Sequence, residues 1–146
     1  MIAHGLKHGR SLDGTAGWFG SIGFKSPRLQ AKLSSVVEVG SGAAVVLGAA
    51  TPLSSSAVVG TMAVAYRTVH QKNGYFITGE GWEYVALISA ASIALSALGP
   101  GRWSVDRLLG VDDVGGPLLR ALATAGLGIA GAAGQLATFW VDPAKG

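Results

Sequence analysis

Residues 33–69 read LSSVVEVGSGAAVVLGAATPLSSSAVVGTMAVAYRTV, two apolar runs joined at Thr51-Pro52 and broken by only two charges, Glu38 and Arg67. The hydrocarbon core of a bilayer is roughly 30 Å thick, and a helix crosses it with about 20 apolar residues. Each run approaches that length, and the uncharged Thr51-Pro52-Leu53 connection is too short for anything but an antiparallel return. Two further apolar stretches lie outward, Tyr84–Leu98 and Leu118–Val141, with Arg120 their single charge.

This pattern predicts an all-α, integral membrane four-helix bundle forming one domain over residues 1–146. Its helices are expected at about 29–50, 53–70, 82–98 and 117–141, after a polar N-terminal segment. Composition agrees: 49% of residues are hydrophobic and 13% charged, against about 25% charged in soluble domains. The net charge of +3 reports orientation and anionic lipid before nucleic acid, and no clustered basic and aromatic pattern suggests nucleic-acid binding. Zero cysteines exclude disulfides, a thiolate nucleophile, Cys-ligated clusters and covalent c-type haem.

The segment from His4 to Lys32 is glycine-rich and basic, with Trp18-Phe19 suited to the bilayer interface. It has no charged n-region followed by an apolar h-region, so it does not read as a signal peptide. Small residues recur every fourth position at Gly40, Ala44 and Gly48, at Ala86, Ala90 and Ala94, and at Gly126, Ala130 and Gly134. Helices in lipid associate through such close-approach stripes, so these are expected to face neighbouring helices. Lys7, Arg10, Lys25, Arg28, Lys32, Arg67, Lys72 and Lys145 fall on one side of the membrane, and Arg102, Arg107 and Arg120 on the other. The first side is therefore expected to be cytoplasmic.

Glu38 is the most informative single residue, because a carboxylate inside a membrane helix costs a few kcal/mol. Counting equally about the Thr51-Pro52 turn sets Arg67 level with it, and His70 one turn beyond. A Glu38–Arg67 pair is expected, serving either to neutralise two charges and fix register or to build a proton relay or polar headgroup pocket. Tyr75, Phe76 and Trp82 cluster at the same end as an aromatic lid, and Glu83 faces the side of His70. These seven residues, Glu38, Arg67, His70, Tyr75, Phe76, Trp82 and Glu83, are the candidate pocket. His4 and His8 stand four apart, as they would on one helical face, but with no nearby cysteine and no helix-forming context no metal site is assigned. No nucleophile triad, P-loop, dinucleotide fingerprint or zincin pattern is present.

The chain resembles the DoxX-like membrane proteins. The matching residues are His4-Gly5 with Lys7, Gly17-Trp18-Phe19, Glu38 with Gly42, Leu47 and Gly48, the run His70-Gln71-Lys72-Asn73-Gly74-Tyr75-Phe76, Glu83-Tyr84, and Gly99-Pro100-Gly101-Arg102 with Ser104 and Asp106. They extend over residues 4–107. The resemblance implies a small bundle of four membrane helices in which the His-Gly-x-Lys element ends a first helix. Here only Met1-Ile2-Ala3 precedes that element, so the family's first helix is expected to be missing, through an internal start codon or through loss, and helix 117–141 to be an addition. The resemblance further implies an inner-membrane, multi-pass subunit of a redox or oxidative-stress assembly, with quinone as a non-covalent cofactor and superoxide dismutase and a sulfurtransferase as partners besides membrane lipid. The alternatives are a non-catalytic scaffold and a small transporter, though no inverted repeat supports the transporter.

Overall fold

The computed structural model describes residues 1–145 and is all-helical. Helix α1 spans Ile2–Arg10 and α2 Leu12–Ser21. Then follow α3 (Pro27–Leu47), α4 (Thr51–Ala65), α5 (Glu83–Leu98), the single turn α6 (Val105–Leu108) and α7 (Pro117–Phe139). A π-helical turn, Tyr66–His70, prolongs α4. Pro27, Pro52 and Pro117 each sit in the first turn of their helix, where the missing N–H has no intrahelical acceptor anyway. Gly48 (φ +58°) stops α3, in a left-handed conformation that an L-residue adopts at a cost. A Cβ there would also lie 2.4 Å from the Ser104 Cβ.

The four long helices are the four expected from the apolar runs, within a few residues. The N-terminal segment differs from expectation. It is a pair of helices laid antiparallel along α3, not an irregular interfacial strip. Its glycine content argues against helix on propensity alone, and packing reverses that. Gly5 and Gly9 face α3, and a Cβ on either would come within 2.8 Å of Glu38 or Ser35 atoms. The polar segment thus supplies α3 with a close-fitting partner from its start to Gly42.

Helix α4 is the hub, packed on α7, α5 and α3. The α2–α3 connection meets the end of α7, with Lys25 N donating to Phe139 O (2.7 Å) and Val141 N to Gly23 O (3.0 Å). The small-residue stripes have the expected period but the wrong phase on α5 and α7. Ala86, Ala90, Ala94, Gly126, Ala130 and Gly134 face outward, while Val85 and Ser96 on α5, and Thr124, Gly128 and Ala132 on α7, are buried. A close backbone approach joins Gly60 of α4 to Gly128 of α7, where a Cβ on Gly60 would lie 3.1 Å from Gly128 O.

The polarity of the bundle is inverted relative to a water-soluble fold. Gln30, Glu38, Ser54, Ser55, Ser56, Ser96, Arg120 and Thr124 are buried, while Val36, Val46, Leu53, Leu87, Leu122 and Ile129 are exposed. Large contiguous apolar surface is uncommon on soluble monomers. Polar side chains hydrogen-bonded between helices, such as the Ser96–Thr124 hydroxyl pair (2.6 Å) and Gln135 Nε2 donating to Gln30 Oε1 (2.9 Å), are how helices adhere in lipid. By length and composition one helix among the described residues, α7, is able to cross a membrane alone. α4 and α5 are shorter, and α3 is long enough but carries Arg28, Lys32 and Glu38.

Candidate functional site

Glu38 lies inside the bundle, but its partners are not those expected from register. Its carboxylate meets His4 Nδ1 through Oε2 at 2.7 Å, and His8 Nδ1 through Oε1 at 3.2 Å. Ser34 Oγ, one turn earlier on α3, donates to Oε1 and also contacts His8 Nδ1 at 3.1 Å. His4 and His8 are successive residues of one face of α1, their rings 4.4 Å apart edge to face. Gly5 and Gly9 carry that face onto α3, so each imidazole is delivered to the carboxylate by backbone proximity. The side chain of Glu38 is 3% exposed and that of His8 13%, whereas His4 is 66% exposed. The cluster therefore runs from the surface to a buried acid.

Behind it is a cavity of about 280 Å³ bounded by α1, α2, α3, α4 and α7. Phe19, Phe24, Val37, Met62 and Phe139 give it apolar walls. Its polar points are the His8–Glu38 end and Gln30, whose Nε2 is buried without a hydrogen-bond partner among the described residues. Buried donors nearly always find an acceptor, so this amide marks a place where a ligand acceptor would be stabilised.

The remaining expected residues lie elsewhere. Arg67 does not reach Glu38. It points outward to Asp142 (3.4 Å) and stacks over the Trp140 ring at 4.7 Å, whereas Thr68 and Val69 of the same turn face the cavity. His70 Nδ1 contacts Glu80 O at 2.6 Å. Tyr75 packs on Phe76 and Trp82, and Glu83 accepts from Ile77 N at 2.9 Å. These five residues, His70, Tyr75, Phe76, Trp82 and Glu83, build a self-contained α4–α5 loop instead of a lid. Trp82 lines a separate shallow pocket with Tyr66 and Ser89. Of the seven candidates, Glu38 alone lines the main cavity.

A family model, DoxX, matches residues 1–71, the segment that holds α1, α2, α3 and α4 and all of the histidine–glutamate cluster. This stretch, just under half of the chain, is similar to the DoxX family. No curated protein and no solved structure matches it. The DoxX-like segment supplies the triad and four of the five helices that bound the cavity, and α7, outside the matched range, supplies Gln135 and Phe139. His4 and His8 are the functional residues that sequence reasoning missed. The signal was the interleaved pair of four-residue spacings, His4/His8 and Gly5/Gly9, a helix face with its own means of close approach.

Proposed function

We propose that this DoxX-like chain is a multi-pass inner-membrane subunit of a redox or oxidative-stress assembly. In this reading α3, α4, α5 and α7 cross the bilayer as a four-helix bundle, and the cavity holds a quinone-like amphiphile. The observation that carries the proposal is an apolar cavity with a buried carboxylate–imidazole pair at one end and the unpartnered Gln30 Nε2 on its wall. An apolar slot with a few convergent polar groups is what an amphiphile with hydrogen-bond-accepting oxygens requires. The Glu38–His8–His4 series also offers a proton route from the cavity to the exposed His4. By family resemblance, superoxide dismutase and a sulfurtransferase are the proposed partners. With no cysteine, the chain would serve on the quinone or anchoring side.

One observation favours a scaffold instead: Glu38 already has three partners inside the protein, so the cluster also works as a register device between α1 and α3. Purification in mild detergent, with organic extraction and mass spectrometry, separates the two. A quinone should be retained by the wild type and reduced about tenfold in Gln30→Ala and Glu38→Gln, the effect of one lost hydrogen bond of roughly 1.4 kcal/mol. A wild type that retains none, or variants that retain as much, leaves the scaffold reading standing.

A further inference from the structure

We infer that His4, His8 and Glu38 form a binding site for a divalent first-row transition-metal ion. One ligand atom from each of the three side chains lies within 4.8 Å of the others. Both histidines present Nδ1 toward the carboxylate, at 2.7 and 3.2 Å. Ligand atoms around a tetrahedral zinc stand about 3.3 Å apart, given bond lengths of roughly 2.0–2.2 Å. The nitrogen–carboxylate separations need to widen slightly and the widest separation in the cluster to narrow, adjustments that His4, largely exposed, is placed to make. His8 and Glu38 are held by packing.

The donor set fixes the class of ion. Two imidazole nitrogens and one carboxylate oxygen, with no thiolate anywhere in the chain, match the sites that zinc, iron(II), manganese(II) and cobalt(II) occupy with open positions for further ligands. The outer shell is also in place. Ser34 Oγ donates to the Glu38 oxygen, as second-shell groups do when they orient a ligating carboxylate. Gly5 and Gly9 set the distance between the two helices that carry the ligands. The site requires α1 to be helical and pressed on α3, and the fold has both features. Among the ion pairs of the described residues, Glu38 has no lysine or arginine partner, so a dication would supply charge compensation that the protein itself provides only through histidine. This inference uses the residues at the polar end of the cavity but does not depend on what fills the cavity.

The test uses the full chain in detergent, without a histidine tag and stripped with a chelator, titrated with Co²⁺ and followed by visible absorption. One equivalent should bind, with d–d bands of a low-coordinate site, and Zn²⁺ should displace it. His4→Ala and His8→Ala should each weaken binding by at least about tenfold, a loss that outer-shell changes alone can reach. Because His4 also contacts the buried Glu38, the metal-free melting temperature of His4→Ala should fall, but its helical content by circular dichroism below the transition should match the wild type, so its loss of binding is not loss of fold. Gln30→Ala should bind cobalt like the wild type, which separates this site from the proposed amphiphile cavity. A wild type without cobalt bands, or a His4→Ala/His8→Ala double variant that binds as tightly as the wild type, overturns the inference, whatever the quinone measurement gives.

Discussion

At the scale of single residues, the three charges that interrupt the apolar runs each have an identifiable partner, and none pairs with another. Glu38 meets two histidines, Arg67 meets Asp142 and Trp140, and Arg120 donates to Ala97 O (2.9 Å) and Asp112 O (3.1 Å) near the end of α5. The last is a cation at a helix C-terminus, where the backbone dipole favours it. That Glu38 would be inside was legible, since an acid among valines and glycines must avoid lipid. Its partner was not, because equal counting from a turn fixes depth along a helix but not the face on which a side chain stands. Gly5 is the position on which the cluster's geometry depends. Gly5→Ala would put a Cβ 2.8 Å from Glu38 Cβ and 2.9 Å from Ser35 O. It should lower stability by about 1–3 kcal/mol, the usual range for overpacking. Gly14→Ala, whose Cβ meets nothing within 4 Å, should be neutral or gain up to about 1 kcal/mol from helix propensity. Melting curves of the two variants in one detergent check the contrast; equal destabilisation would mean that α1 does not dock closely on α3.

At the scale of elements, the segment Gly99-Pro100-Gly101-Arg102 with Ser104 and Asp106 has a structural explanation. Ser104 caps α6, its Oγ accepting from Arg107 N at 3.1 Å. Asp106 is buried against the α3–α4 turn and accepts from Ala50 N (2.6 Å), Thr51 N (2.8 Å) and Thr51 Oγ1 (2.7 Å). A loop far along the chain therefore caps the N-terminus of α4, which the sequence around residues 50–52 does not reveal. Burial pushes the Asp106 carboxyl up, but the three donors outweigh it and hold the group below its ordinary value. The ionised form thus adds stability that is fully present above the unfolded pKa of about 3.9. That stability is lost as pH falls below this value and through the lower folded pKa. Asp106→Asn should be less stable at neutral pH by about 1–3 kcal/mol, the range for a disrupted buried hydrogen-bond set. It should also lose less on acidification than the wild type. Melting from pH 7 to pH 3 checks this, and parallel acid profiles for the two proteins would remove Asp106 from the account.

At the scale of the whole molecule, the helical architecture was legible because four apolar runs are bounded by proline and glycine. The N-terminal pair was hidden because nothing in its own composition favours a helix, and only the surface of α3 decides it. The proposed membrane crossing makes a statement about orientation. Lys7, Arg10, Lys25, Arg28, Lys32, Arg67 and Lys72 gather near the end where α2 stops and α3 begins, and Arg102, Arg107 and Arg120 near the other. The first end should face the cytoplasm. The cysteine-free chain makes this measurable with single substitutions. In intact cells an impermeant thiol reagent should label Leu109→Cys and spare Ser21→Cys, and the reverse pattern would invert the orientation. The joining of α7 to the α2–α3 connection has a consequence for the order of events during synthesis. The first walls of the cavity leave the ribosome before α4 is complete, but Gln135 and Phe139 emerge only with α7, and Phe139 O is one of the atoms that tie the two regions together. The nascent chain must therefore hold a half-built chamber, open along one flank, until α7 has been made and docked.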